Sequence, residues 1–161
     1  MAAPAIAVIG QGAPDRGAAA DAAERVGRGL AEAGATVVTG GLGGVMAAAS
    51  RGARAAGGRV VAVLPGVDRA AANPYADIVV CTGIGEARDL AVVASGDAVI
   101  AVGGAWGTLA EIALARKLGR PVVLLDSWQV RPPGAGRLTG CEDAPTPARA
   151  VALALARAAG R

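Results

Sequence analysis

The feature that most constrains this sequence is a repeated pattern: a short apolar run ends near glycine or proline, and a helix-forming segment follows. The apolar runs are Ala5–Ile9, Thr36–Thr39, Val60–Leu64, Ile78–Cys81, Ala98–Val102 and Pro121–Leu125. Because these runs are continuous rather than alternating with polar residues, they predict strands that are covered on both faces of a parallel sheet. Strands separated by helices predict right-handed βαβ units, and therefore a doubly wound, Rossmann-like α/β fold.

The segments between the runs carry helix formers and helix stop signals. We predict helices over Ala18–Ala33, Val45–Ala56, Glu86–Ala94 and Leu109–Leu118, and a final helix capped by Thr146 with Pro147 in its first position. We expect the proline- and glycine-rich segment Arg131–Pro145 to be an irregular connection. A chain of 161 residues fits one domain, which we place at residues 1–161.

Composition excludes several classes of enzyme. The sequence has no histidine, which removes Ser-His-Asp and Cys-His nucleophiles and histidine-ligated metals. Lys117 is the only lysine, and its place late in a predicted helix disfavours a pyridoxal-phosphate Schiff base. The two cysteines, Cys81 and Cys141, do not suffice for a disulfide framework or a zinc site. We expect Cys81 to be buried and to act as a small apolar residue. We therefore predict no metal and no resident cofactor.

The charge pattern does not point to nucleic acid. The formal net charge is +3, but the arginines are scattered and often adjoin acids, as in Glu24-Arg25 and Arg88-Asp89. No basic run is interleaved with aromatic residues, so we expect no nucleic-acid partner. No stretch reaches about 18 strongly apolar residues, and the first strand begins almost at once. We therefore expect no membrane span, no signal peptide and a cytoplasmic protein.

Three glycine-rich turns follow predicted strands and precede predicted helices. Ligands in open α/β sheets bind at the carboxyl ends of strands, where bare glycine amides and helix N-termini attract phosphate. The alternative is that these glycines only make tight turns. We predict a phosphate site that contains Gly10 and Gly12 of the first turn, Gly41, Gly43 and Gly44 of the second, and Gly103, Gly104, Gly107 and Thr108 of the third.

Two familiar nucleotide motifs are absent. The sequence has no G-x-x-x-x-G-K-[ST], so it is not a P-loop NTPase. The first turn does not read G-x-G-x-x-G, and the second strand ends in Thr39 rather than in an acid for a ribose diol. Binding of NAD is therefore disfavoured.

Two charged residues adjoin the predicted phosphate site. Glu111 follows Thr108 by three residues, so it either reaches a ligand sugar or completes a capping box with Thr108. Arg88 opens a short predicted helix, where it either clamps a phosphate through two hydrogen bonds or lies on an exposed helix face.

These residues carry a resemblance to a known family. The sequence resembles the LOG-like (Lonely Guy) family, in the small branch that is also similar to molybdenum cofactor carrier proteins. The match runs over about residues 6–125, and its four ordered motifs are Thr39–Met46, Gly57–Pro65, Gly85–Arg88 and Gly103–Glu111.

The resemblance implies both a ligand and a reaction. In LOG enzymes, P-G-G-x-G-T-x-x-E binds the phosphate of a nucleoside 5′-monophosphate, and its glutamate acts with the arginine of M-x-x-R-K in cleaving the base–ribose bond. The matching residues here are Thr108, Glu111 and Arg88. Gly103 replaces the proline and Ala105 replaces a glycine. In the arginine motif, Gly85 stands for methionine and Asp89 for lysine, which removes a positive charge beside the phosphate.

Two functions therefore remain open from the sequence. As an enzyme, the protein would hydrolyse a nucleoside 5′-monophosphate to base and ribose 5-phosphate, with Glu111 stabilising the oxocarbenium-like sugar. As a binding protein, it would carry or sense molybdenum cofactor or another phosphorylated, nucleotide-like small molecule without turnover. The resemblance also implies a homodimer or homotetramer.

Overall fold

The computed structural model describes residues 2–134, 136 and 138–160, and within these ranges seven strands form one sheet. The strands are β1 (Ala5–Gly10), β2 (Thr36–Thr39), β3 (Arg59–Leu64), β4 (Ile78–Cys81), β5 (Ala98–Val102), β6 (Val122–Leu125) and β7 (Cys141–Ala144). Their order is β4-β3-β2-β1-β5-β6-β7, and every neighbouring pair is parallel. The predicted parallel sheet is confirmed.

Helices cover both faces of this sheet. They are α1 (Ala18–Glu32), α2 (Val45–Ala55), α3 (Arg88–Ser95), α4 (Trp106–Lys117) and α5 (Pro147–Ala159). Helices α1, α2 and α5 share one apolar core with the sheet, and α3 and α4 share the other. The doubly wound arrangement is therefore confirmed. None of the described helices combines the length and the apolar character that a bilayer span requires.

The two cores explain why the central strands read as continuous apolar runs. Successive side chains of a strand point to opposite faces. In β1, Ile6 and Val8 enter the core beneath α1, α2 and α5, whereas Ala7 and Ile9 enter the core beneath α3 and α4. A strand buried on both faces has no polar positions to alternate with.

The strand order opens a crevice between β1 and β5. The chain runs outward from β1 to β4 and then returns to pair β5 with the other side of β1. Gly10 and Val102 are register partners at the carboxyl ends of these two strands. The connections that follow them leave in opposite directions, which is where doubly wound sheets bind their ligands.

The structure corrects two predictions about the outer strands. Cys81 is exposed rather than buried, because β4 is an edge strand and most of its side chains are exposed. The segment Arg131–Pro145 is not irregular throughout, because Cys141–Ala144 forms β7 and pairs with β6. Residues 135 and 137 of that segment, like residues 1 and 161 of the predicted domain, lie outside the described ranges.

Helices α1 and α2 touch backbone to backbone through two glycines. A Cβ atom on Gly27 would lie 2.0 Å from the carbonyl oxygen of Ala49, and one on Gly52 would lie 1.9 Å from that of Glu24. Both distances are far below van der Waals contact, so these positions require glycine. The contact fixes α2 against α1, and with it the turn that precedes α2.

We expect Gly27→Ala and Gly52→Ala each to lower the free energy of unfolding by about 1–3 kcal/mol, the usual cost of overpacking. The control is Gly29→Ala in α1, where the nearest atoms to the added Cβ would belong to the side chain of Val151, the closest at 3.2 Å. This control should be neutral or stabilising, because alanine favours helix over glycine by about 1 kcal/mol. Urea unfolding followed by circular dichroism measures all three. Equal midpoints for Gly27→Ala and Gly29→Ala would contradict the packing argument.

Candidate functional site

A cavity of about 180 Å³ lies in the crevice between the carboxyl ends of β1 and β5. The predicted site residues that line it are Gly10, Gly12, Arg88, Gly107, Thr108 and Glu111. The structure thus brings residues of the first and third turns together with both charged candidates. Gln11, Gly40, Met46 and Asp89 also line the cavity, although they were not among the predicted site residues.

The N-terminus of α4 faces this cavity without a cap. Helix α4 begins at Trp106, and the preceding Ala105 offers no side-chain hydrogen bond to the first amides. These amides have no acceptor within the helix, and together with the helix dipole they favour an anion. A Cβ on Gly107 would meet nothing within 4 Å, so the approach to its backbone is open.

Thr108 adds an unsatisfied hydroxyl at the same place. Its residue is only 2% exposed, and its Oγ1 has no hydrogen-bond partner in the part of the chain that the structure describes. A buried polar group without a partner costs about 1–3 kcal/mol, so native proteins rarely keep one without a functional reason. A ligand oxygen in the cavity would satisfy this hydroxyl.

Of the two alternatives for Glu111, the capping box with Thr108 does not form. Helix α4 begins three residues earlier than we predicted, so both residues lie inside it rather than at its boundary. The capping position belongs to Ala105, whose side chain accepts no hydrogen bond. Thr108 and Glu111 are therefore left to face the cavity that they both line.

The carboxyl group of Glu111 is largely protonated at pH 7. Burial, and after it the negative charge of Asp89, raise its pKa to about 8, although the positive charge of Arg88 partly opposes them. Both effects disfavour a second carboxylate in the same confined space. Glu111 therefore offers a hydrogen-bond donor rather than a negative charge.

Arg88 is buried and largely engaged by the protein. Its Nη1 donates to the carbonyl oxygens of Gly40 and Val63, the latter at 2.5 Å, and its Nε donates to Asp89 at 2.8 Å. A Cβ on Gly40 would lie 2.7 Å from Nη1, so this contact needs glycine. The guanidinium ties the ends of β2 and β3 to α3, and its Nη2 donates to no group within the described ranges.

The glycines predicted in the second turn do not line the cavity. The N–H of Gly41 donates to Thr39 Oγ1 at 3.2 Å, and the N–H of Gly44 donates to the carboxylate of Asp15. Asp15 thus places a side-chain anion at the N-terminus of α2, where we predicted the phosphate of a ligand. A Cβ on Gly43 would lie 3.0 Å from Asp15 Oδ1, so the turn is closely packed around this carboxylate.

Gly103 and Gly104 of the third turn line a second, neighbouring cavity of about 470 Å³ instead. The N–H of Gly104 donates to Gln11 Oε1 at 3.2 Å. Gly104 has a φ of 133°, and a Cβ there would lie 2.7 Å from Thr108 Cβ, so only glycine fits. The other residues that line this cavity are Asp126, Ser127, Trp128 and Gln129.

The groups around the first cavity are mostly hydrogen-bond donors. They are the open amides at the start of α4, the Thr108 hydroxyl, the protonated Glu111 and Nη2 of Arg88, against the one carboxylate of Asp89. This arrangement suits an oxyanion. In the described ranges, no group of three or more His, Cys, Asp or Glu residues is placed to hold a metal ion.

Comparisons with known proteins agree with the fold and show the family of the chain. A sequence model of the SLOG cluster4 family matches residues 3–144. An uncharacterised protein of Archaeoglobus fulgidus is 48% identical over 103 residues, which cover 64% of this chain and 68% of that protein.

Two solved structures resemble the whole molecule. The molybdenum cofactor binding protein of the phototrophic bacterium Rippkaea orientalis superposes with a TM-score of 0.86 at 32% identity, over 97% of this chain and 98% of that one. The molybdenum cofactor carrier protein of Chlamydomonas reinhardtii superposes with a TM-score of 0.81 at 34% identity, over 99% and 100%. The predicted likeness to carrier proteins is confirmed, whereas the finer LOG-like assignment stays a prediction. Because the family match spans most of its length, the chain belongs to the SLOG cluster4 family.

Proposed function

We propose that this protein binds and carries, without turnover, a small phosphorylated heterocycle of the molybdenum cofactor type. The observation that carries the proposal is the buried, unpartnered hydroxyl of Thr108 beside the uncapped N-terminus of α4. A phosphate monoester offers the oxygens that these groups lack, and its negative charge suits the helix end.

The first cavity is large enough for one chemical group of a ligand, such as a phosphate, but not for a whole drug-sized ligand. Pockets that enclose a drug-sized ligand usually measure about 300–1,000 Å³, and this one measures about 180 Å³. It therefore suits the phosphate and the carbon atoms next to it, and the remainder of the ligand extends toward the mouth of the crevice.

The charges around the cavity favour binding over glycosidic hydrolysis. An oxocarbenium-like sugar is stabilised by an ionised carboxylate, but Glu111, with its pKa near 8, is protonated at pH 7. Arg88 is bound to two carbonyl oxygens and to Asp89. The two structural relatives, one named a molybdenum cofactor binding protein and the other a molybdenum cofactor carrier protein, support the same choice. The homodimer or homotetramer, the cytoplasmic location and the lack of a nucleic-acid partner stay predictions.

We expect Thr108→Val to weaken binding of a phosphorylated pterin by about 10- to 100-fold, because a hydrogen bond to a charged group contributes about 1.5–3 kcal/mol. The ligand-free variant should melt at the same temperature as the wild type or higher, since valine removes a buried unpaired hydroxyl. Thr108→Ser, which keeps the hydroxyl, is the control and should retain most of the affinity. Calorimetric titration and thermal melting measure both effects. Undiminished affinity in Thr108→Val would refute the assigned phosphate contact.

We expect affinity for the phosphorylated ligand to fall as the pH rises through about 8. Below that pH, Glu111 is neutral and donates a hydrogen bond; above it, Glu111 adds a negative charge beside the phosphate. The loss should reach at most about tenfold per pH unit, because one proton is linked to binding. Titrations between pH 7 and 9.5 test this, with Glu111→Gln as the variant that should bind with no such fall. The same decline in both proteins would show that Glu111 is not its source.

We expect no release of free base when the protein is incubated with AMP, CMP, GMP or UMP and the products are separated by chromatography. Thr108→Val, which should hold the phosphate more weakly, serves as the comparison. Base release by the wild type that is lost in both Thr108→Val and Glu111→Gln would replace the carrier proposal with hydrolysis.

A further inference from the structure

One face of the seven-stranded sheet is wider than the two helices that cover it. Neighbouring strands lie about 4.8 Å apart, so seven strands span about 29 Å, whereas two helices of about 10 Å diameter cover about 20 Å. Three helices, α1, α2 and α5, share the core on the opposite face. The face that carries α3 and α4 therefore leaves part of the sheet without a helix.

The uncovered part is the edge strand β4. Ile78 and Val80 are register partners of Val61 and Val63, whose side chains pack in the core beneath α3 and α4. Paired residues of parallel strands point to the same face of a sheet, so Ile78 and Val80 point to this face as well. They remain 54% and 44% exposed, which means that α3 does not extend over them.

The outward sides of α3 and α4 are apolar too. After its first two residues, α3 has no charged residue, and before its last two residues, α4 has only Glu111, which lines the first cavity. A helix that is apolar around most of its circumference is normally buried. Helix α1 on the opposite face has the usual polar outer side, with five charged residues: Asp21, Glu24, Arg25, Arg28 and Glu32.

The exposed large apolar residues of the described ranges are confined to this side of the molecule. They lie on β4, in the turns at its carboxyl end, on α3, and on α4 and the residue after it: Val67, Ile78, Val80, Ile84, Leu90, Trp106 and Leu118. The N–H of Gly83 donates to the carbonyl oxygen of Gly66 at 3.1 Å, so the turns that contain Val67 and Ile84 lie against each other. Such confinement of apolar surface to one side marks an interaction site.

We name this surface the α3–α4 face and define it by Ile78, Val80, Leu90, Trp106, Ala110 and Ala113, of which Ala110 and Ala113 are also exposed. Two helices and the bare strip beside them measure about 30 by 18 Å, or about 500 Å² in projection. The accessible area is larger, because side chains roughen the surface. A stable complex buries about 800 Å² on each partner, so the face is large enough for one.

We propose that the α3–α4 face binds the same face of a second copy of this chain, about a two-fold axis that sets the α4 helices of the two copies antiparallel. An apolar surface that waited uncovered for a transient partner would promote aggregation. A second copy is present wherever the chain is made, and two-fold symmetry covers the bare strip of both copies at once. The cores of homodimer interfaces are likewise apolar and poor in charge.

Charges at the ends of the face favour the antiparallel arrangement. Because all strands are parallel, α3 and α4 both run from the carboxyl end of the sheet to its amino end. Glu86 directly precedes α3 and Lys117 ends α4, and both are exposed. Antiparallel pairing brings Glu86 of one copy near Lys117 of the other. Parallel pairing would bring each residue near its own copy and so place like charges together.

The shape of α4 favours the same arrangement. Trp106 is 77% exposed and is supported by Trp128, with the two ring centroids 5.2 Å apart. Ala113 lies two turns further along the helix and has a small side chain. When the α4 helices run antiparallel, Trp106 at the start of one helix packs against the small residues in the later turns of the other.

The first test is Ala113→Glu, which places a charge in the middle of the face. Its matched control is Ala152→Glu, at an exposed position inside α5 on the opposite side of the sheet. Sedimentation velocity over a series of protein concentrations measures self-association, and circular dichroism verifies that each variant is folded. Ile78→Glu, on the bare strip, is the second variant of the face.

We expect the wild type to self-associate. Ala113→Glu and Ile78→Glu should each raise the dissociation constant by at least about 100-fold, because an unpaired charge would be buried. Ala152→Glu should associate as the wild type does. If the wild type is larger than a dimer, the two variants of the face should lower the assembly by one level and the control should not.

A charge exchange tests the antiparallel orientation. Glu86→Lys and Lys117→Glu should each weaken association by about tenfold at low salt, since each places like charges together at both ends of the interface. The double variant restores opposite charges and should associate as the wild type does. Without this rescue, the antiparallel arrangement is wrong.

Three results would overturn the interface itself. They are a wild type that sediments as a monomer at every concentration, an Ala113→Glu variant that associates as the wild type does, and an equal loss of association in Ala152→Glu. None of them bears on the phosphate contact of Thr108, which this proposal does not use.

Discussion

The start of α4 is the place where this fold leaves its polar groups unsatisfied. A parallel sheet with its strand order reversed beside β1 necessarily opens a crevice there, and the helix after β5 turns its amide end toward that opening. Elsewhere the glycine turns meet acceptors supplied by the chain, as Thr39 does for Gly41. At α4 no described side chain performs this task, and Thr108 adds one more polar group that lacks a partner among the described residues. The proposed phosphate binding follows from these unsatisfied hydrogen-bond donors at the start of α4.

The charged residues beside the start of α4 determine the character of the site. The negative charge of Asp89 helps to keep the carboxyl of Glu111 protonated. It also takes the Nε hydrogen bond of Arg88. A site with an ionised glutamate and an unencumbered arginine could assist bond cleavage. Here the same two residue types serve as a neutral donor and a structural tie, which suits retention of a ligand.

Much of the fold could be predicted because burial on both faces leaves a direct mark on the sequence, as the central strands β1 and β5 show. Strand β7 left no such mark, because its edge position allows Glu142 and Asp143 between its ends. The predicted burial of Cys81 was wrong because an apolar run in an edge strand has the same sequence pattern as one in a central strand. The glycine turns predicted a site at the carboxyl ends of the strands, but which of their amides are open depends on side chains from distant segments. Asp15 and Gly44 are 29 residues apart in the sequence, and no local sequence pattern predicts their contact.

The carboxylate of Asp15 occupies a helix end that would otherwise suit a phosphate. The N-terminus of α2 is bordered by glycine, like that of α4, yet it is already neutralised by the chain itself. A phosphate therefore meets uncapped amides at α4, whereas at α2 it would meet a negative charge and be repelled.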